Sequence, residues 1–165
     1  MKELSRRELL IRGTGLGMGL VGVMLSVPAV GFLLSPLFTK QRVSWVTVGP
    51  IDSVPVNQPT ALFADVPVGT GYAAPPVKRV VYVVKKADGK VRALSNICTH
   101  MQCDVHWDPS LGNFLCPCHG GLYDIDGTNV GGPPPQPLAQ WKHRFRTDEQ
   151  GRTVLDIANQ LDESI

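Results

Sequence analysis

The sequence carries little net charge, few cysteines and, after Lys40, no convincing helical periodicity. A formal net charge of +2 in 165 residues is too small to indicate a nucleic-acid-binding protein. The missing helical pattern argues against a helical bundle, and the 17 glycines and 14 prolines favour a loop-rich domain built of strands. This length allows one modest domain and an appendage.

Charged residues are absent from the 26 positions between Arg12 and Lys40 that run from Gly13 to Phe38. About 20 such residues are enough to cross a bilayer as a helix, so we predict a single transmembrane helix over residues 13–38. The alternative is a cleaved signal peptide. The length of the run and the lack of a clean Ala-x-Ala site favour a retained anchor.

Residues 5–10 read Ser-Arg-Arg-Glu-Leu-Leu, which resembles a twin-arginine export signal. The basic residues of segment 1–12 predict a cytoplasmic N-terminus, with the rest of the chain on the outer side of a bacterial cell membrane. Twin-arginine export moves folded proteins, so this signal also predicts a cofactor inserted before export.

Short strands separated by turn signals are predicted after the anchor. They cover residues 43–48, 60–64, 79–85, 90–94, 113–115, 121–125, 142–147 and 153–157. This pattern predicts an all-β antiparallel sandwich over residues 51–165, joined to the anchor by a linker at 39–50 that could act as a hinge.

All four cysteines lie within 21 residues, and two histidines lie among them. These six residues are Cys98, His100, Cys103, Cys116, Cys118 and His119. So tight a group indicates a metal site or a covalent staple. Two thiolates and two imidazoles could hold zinc, although the spacing is unusual for a zinc finger and two cysteines would stay unexplained.

Segments 98–103 and 116–121 read Cys-Thr-His-Met-Gln-Cys and Cys-Pro-Cys-His-Gly-Gly. They resemble the two boxes of the Rieske family, Cys-x-His-x-x-Cys and Cys-x-Cys-His-Gly, including the gap of 15 residues between His100 and Cys116. The resemblance implies cluster-binding loops within about 95–140 and one [2Fe–2S] cluster, with Cys98 and Cys116 on one iron and His100 and His119 on the other.

The same resemblance implies a disulfide between Cys103 and Cys118, which the outer side of a membrane permits. Rieske ferredoxins and ring-hydroxylating oxygenases generally lack these two cysteines, whereas quinol-oxidising complexes have them. His106 and His143 match no ligand position, so we interpret both as non-ligands.

Two further positions are expected to tune the reduction potential. Tyr123 matches a family tyrosine that donates a hydrogen bond to a ligand sulfur, and Gly121 stands where high-potential members carry a serine. Without that serine bond the potential should be lower by roughly 60–130 mV, which suits menaquinol. A loop that begins Gly132, Pro133, Pro134 and Pro135 resembles the family's proline loop, which covers one side of the cluster.

Together these features resemble the iron–sulfur subunit of bacterial cytochrome bc-type complexes. The resemblance implies that a quinol binds at His119, with His100 beside it, and passes one electron to the cluster and one proton to a ligand histidine. The implied partners are a cytochrome b subunit and a c-type cytochrome within a dimeric membrane complex. Two alternatives remain: the Rieske subunit of arsenite oxidase, and a membrane-tethered electron carrier without a quinol site.

Overall fold

A computed structural model of the chain describes residues 5–38, 43–67 and 76–162. One helix, α1 (Arg6–Phe38), precedes ten strands in the described part of the chain. The strands are β1 (Trp45–Pro50), β2 (Thr60–Pro67), β3 (Pro76–Lys85), β4 (Val91–Ser95), β5 (His106–Asp108), β6 (Asn113–Cys116), β7 (Gly121–Tyr123), β8 (Asn129–Gly131), β9 (Trp141–Thr147) and β10 (Thr153–Leu161).

Helix α1 begins with a capping box. The Ser5 hydroxyl accepts from the Glu8 N–H at 3.2 Å, and the Glu8 carboxylate accepts from the Ser5 N–H at 3.2 Å. The helix therefore includes the twin-arginine segment and starts earlier than residue 13. Over Arg6–Ser35 it is long and apolar enough to cross a membrane once, with a mean hydropathy of 2.0 in its most apolar stretch.

The unit from Val43 onward is made of three antiparallel sheets. Their strand orders are β1-β10-β9, β2-β3-β4 and β5-β6-β7-β8. The prediction of an antiparallel all-β domain with one N-terminal helix is confirmed. Strands β5 and β8 were not predicted, because each has only one apolar side chain and so shows no alternation.

Strand β3 is buried on both faces, which explains its run of apolar residues. Val81 and Val83 face one core, which lies between β3 and strand β10 and includes Leu155 and Ile157. Tyr82 and Val84 face a second core on the other side of the strand. A two-layer sandwich has one core, whereas this domain has two that share β3.

The second core holds the residues on which the site depends. It joins Leu94, Phe114 and Leu138 to two cysteines and a tyrosine that the sequence singled out, Cys98, Cys116 and Tyr123. All six are no more than 2% exposed. The predicted sulfur ligands are thus embedded in packed apolar side chains.

Strand β1 corrects the predicted boundary between linker and domain. Residues 45–50 were included in the linker, although residues 43–48 were also predicted to form a strand. They pair with β10 from Trp45 opposite Ala158 to Pro50 opposite Val154, so the strand prediction is the correct one. The second half of the predicted linker is therefore part of a sheet. Residues 39–42, the first part of that linker, lie outside the described residues.

A buried carboxylate ties the β1-β10-β9 sheet together. Asp156 on β10 is 3% exposed, and its carboxylate accepts from the Thr47 hydroxyl at 2.8 Å and from the Nε atoms of Arg144 and Arg146 at 3.3 Å. Burial alone would raise the pKa of Asp156, but these bonds outweigh it and lower the pKa below its usual value.

We expect Asp156→Asn to lower the free energy of unfolding by about 1–3 kcal/mol near neutral pH, because charged hydrogen bonds are lost. Since the folded-state pKa is lowered, this contribution is present above the unfolded value of about 3.9 and disappears as the pH falls through the folded value. The free energies of unfolding of wild type and variant, measured with urea, should therefore become equal in acid.

The exposed Asp65 on β2 provides the matched control, Asp65→Asn. This variant should change the free energy of unfolding by less than about 0.5 kcal/mol. An Asp156→Asn effect as small as that of the control, or one that is equally large in acid, would contradict the role given to Asp156.

Candidate metal centre

Two loops and the last residue of strand β6, Cys116, carry the predicted ligands. The first loop (residues 96–105) connects β4 to β5, and the second loop (residues 117–120) connects β6 to β7. Backbone bonds shape both loops: the N–H of Gln102 donates to the Cys98 carbonyl at 3.0 Å, and the N–H of Gly120 donates to the Cys116 carbonyl at 3.1 Å. Gly120 has a φ of 70°, which favours glycine in this turn.

The loops place two thiols inside the domain and two imidazoles at its surface. Cys98 and Cys116 are free cysteines, each 2% exposed, whereas His100 and His119 are exposed. The centroids of the two imidazole rings are 4.9 Å apart, with their planes at 82°. The structure thus shows two buried cysteines and two adjacent exposed imidazoles in the same part of the fold.

A disulfide joins Cys103 to Cys118, as the sequence predicts, and links the first loop to the second. The Sγ atoms of these two residues and of Cys116 all lie within 4.8 Å of one another. Because the disulfide consumes two of the three thiols, this group cannot act as a three-thiolate metal site. It places a covalent link directly beside the Cys116 sulfur.

Tyr123 is fully buried beside the first loop. Its hydroxyl is 3.2 Å from Cys98 Sγ, and it accepts from the Thr99 N–H at 3.1 Å. Burial and the contact with Cys98 raise the pKa of Tyr123, so the phenol keeps its proton and can donate it to the sulfur.

The two free thiols differ in their tendency to ionise. Burial alone would raise the pKa of Cys98, but hydrogen bonds from Tyr123 and from the His100 backbone outweigh it and lower the pKa. Burial and the neighbouring Cys98 raise the pKa of Cys116. Two adjacent thiolates in an apolar core repel each other, so both ionise only if a cation lies between them.

The donor set therefore fits a metal cluster. Two buried sulfurs beside two exposed ring nitrogens offer soft thiolate ligands on the inner side and neutral imidazole ligands on the outer side. His106 and His143, interpreted as non-ligands, lie apart from this group on strands β5 and β9.

The proline loop (residues 132–137) lies against the second loop. Its Pro134 is buried, whereas Pro133 and Pro135 are exposed. Gly132 has a φ of 81°, and a Cβ on it would lie 2.5 Å from the Gly120 carbonyl oxygen, so only glycine fits there.

Two residues of the site were missed by sequence reasoning. The Thr99 hydroxyl donates to the Gln136 carbonyl at 2.7 Å, which ties the first loop to the proline loop. Asn129 on β8 donates from its side-chain amide to the Pro134 carbonyl at 2.8 Å. The position of Thr99 between two predicted ligands was the one available signal; nothing in the sequence pointed to Asn129.

Comparison with known proteins identifies the type of domain. Residues 44–142 match the model of a family described as the Rieske [2Fe-2S] domain. The cytochrome b6-f complex iron-sulfur subunit of Chlorobaculum tepidum is 36% identical over 157 residues, which cover 94% of this chain and 77% of that protein.

The menaquinol:cytochrome c reductase iron-sulfur subunit of Bacillus subtilis is 37% identical over 161 residues, which cover 94% of this chain and 93% of that protein. Among solved structures, the plasma membrane Rieske protein of the cyanobacterium Synechocystis is 25% identical with a TM-score of 0.47. That match covers 67% of this chain and 97% of the cyanobacterial chain.

We expect the double variant Cys103→Ser/Cys118→Ser to lose about 3 kcal/mol of unfolding free energy. The disulfide spans 15 residues, and cross-linking a loop of that length restricts the unfolded chain by about this amount. Denaturant unfolding measures the loss, and reduced wild type is the control that should match the variant. A variant as stable as oxidised wild type would contradict the prediction.

Proposed function

This chain belongs to the Rieske [2Fe–2S] family, and on that premise we propose that it is the iron–sulfur subunit of a membrane quinol:cytochrome c oxidoreductase. The observation that carries the proposal is the arrangement of two buried free thiols beside two adjacent exposed imidazoles. Such a site holds a redox group inside the protein while it presents ring nitrogens to a partner.

The proposed ligands are Cys98 and Cys116 for one iron, and His100 and His119 for the other. When bound, the cluster supplies a centre that accepts and releases one electron. The Tyr123 hydroxyl lies 3.2 Å from Cys98 Sγ, so it stabilises negative charge on that sulfur. The apolar side chains of the second core keep water from the inner side.

The exposed histidines form the proposed contact with quinol. His119 and His100 lie at the surface, so a ring nitrogen of either one is accessible to the hydroxyl of a bound quinol. An imidazole can accept a hydrogen bond there and then hold the proton that the quinol releases. The four ligand residues would hold the group that takes up the electron before it goes to a c-type cytochrome.

The proposed setting is a bacterial cell membrane. Helix α1 carries Arg6, Arg7 and Arg12 near its start, so we place the N-terminus in the cytoplasm and the β domain outside. The relatives' names support a cytochrome b subunit as partner, and the name of the Bacillus subtilis relative supports menaquinol as the quinol. We also propose that the complex is dimeric, as the resemblance to cytochrome bc-type complexes implies.

The ligand set is tested by four single variants: Cys98→Ser, His100→Ala, Cys116→Ser and His119→Ala. Each should lose the cluster, so that iron falls from about two atoms per chain to the background and the electron paramagnetic resonance signal disappears. The controls His106→Ala and His143→Ala should keep both. Full iron content in any of the four variants would show that the replaced residue is not a ligand. Loss of iron in a folded control would contradict the assignment of the replaced histidine as a non-ligand.

The complex is tested by isolating the full-length chain from membranes in mild detergent. We expect haem b to co-purify and the preparation to reduce a c-type cytochrome with a menaquinol analogue, faster than with a ubiquinol analogue. Molybdenum in place of haem b would instead identify an arsenite oxidase subunit. Absence of both would leave a membrane-tethered electron carrier.

A further inference from the structure

Position 121 has no room for a side chain. Gly121 is buried at the start of β7, and a Cβ on it would lie 2.6 Å from Pro134 Cγ and 3.1 Å from Pro134 Cδ. An ordinary contact between carbon atoms is about 3.5–4.0 Å long, so even alanine would collide with the proline ring. A proline ring cannot rotate away as a flexible side chain does, because the ring includes the backbone nitrogen.

The space next to Gly121 also borders Cys116, a predicted cluster ligand. A Cβ on Gly121 would also lie 3.4 Å from Cys116 Cβ, so a side chain at this position would extend between the proline ring and that cysteine. A hydroxyl on such a side chain would lie next to the Cys116 side chain. The Pro134 ring therefore occupies the path that such a hydroxyl would need.

The proline loop cannot easily withdraw to make room. The Pro134 carbonyl accepts from the Asn129 amide at 2.8 Å, and the Gln136 carbonyl accepts from the Thr99 hydroxyl at 2.7 Å. Before the loop, Gly131 pairs with Leu122 of β7. After it, Leu138 is 1% exposed in the second core. Moving Pro134 would disturb contacts on both sides of the loop.

We propose that Pro134 is a positioning residue that excludes every side chain from position 121, and with it any hydroxyl hydrogen bond to the cluster from that position. The low reduction potential expected from Gly121 then depends on both Gly121 and Pro134, and not on the glycine alone. This inference rests on the proposed function only through the assignment of Cys116 as a ligand. The steric relation between Gly121 and Pro134 does not depend on it.

The pair is tested in the full-length chain with Gly121→Ser, Pro134→Ala, the double variant Gly121→Ser/Pro134→Ala, and a matched control without the hydroxyl, Gly121→Ala/Pro134→Ala. We expect Gly121→Ser alone to lower the midpoint of thermal unfolding. Adding Pro134→Ala should restore most of that loss, because the two side chains compete for one space and their effects are not additive.

The reduction potential provides the readout that a purely structural role would not change. The Gly121→Ser/Pro134→Ala variant should have a higher midpoint potential than the Gly121→Ala/Pro134→Ala control, since only the former adds a hydroxyl beside Cys116. The control should stay close to Pro134→Ala alone.

Two results would overturn the proposal: additive effects on thermal unfolding, or equal potentials in the two double variants. A raised potential in Gly121→Ser alone, at wild-type stability, would likewise show that Pro134 excludes nothing. Failure of the ligand assignment is distinct from all of these, because wild type itself would then lack the cluster while the thermal comparison remained measurable. Failure of the quinol oxidoreductase assignment alone would leave the cluster and both comparisons in place, and it would be seen as the absence of haem b in the purified complex.

Discussion

Two thiols buried side by side in an apolar core impose the main constraint on this domain. Cys98 and Cys116 lie among Tyr82, Phe114 and Leu138, where a negative charge is costly and two adjacent negative charges cost more. A cationic group bound by both sulfurs would resolve the conflict, because it would neutralise both thiolates without water. Tyr123 reduces the cost further by directing a hydroxyl toward one sulfur.

The surrounding architecture keeps those thiols in place. Strand β3 supports two cores at once, so the first core stabilises the strand against which the second core packs. The disulfide between Cys103 and Cys118 then joins the loops where they leave the sheets. Rigid strands on the inner side leave His100 and His119 at the surface, where a partner can reach them.

Much of this could be predicted from local sequence. The resemblance of two motifs to the Rieske boxes predicts the donor set Cys98, His100, Cys116 and His119, and the uncharged run after Arg12 predicts the helix. The longer strands follow from alternating apolar residues. Strands β5 and β8 were not predicted because each has only one apolar side chain. Trp45–Pro50, although partly within a predicted strand, was also assigned to the linker because it lies next to the anchor.

The sequence by itself determined which chemical groups are present, their order, and the apolar periodicities that make strands and a long helix, since all of these depend on neighbours along the chain. Only the tertiary structure decided that Thr99 is bonded to Gln136, that Asn129 holds the Pro134 carbonyl, and that the Pro134 ring fills the space above Gly121. These contacts join residues on different loops and strands. Their distances depend on how the sheets pack, which no local pattern records.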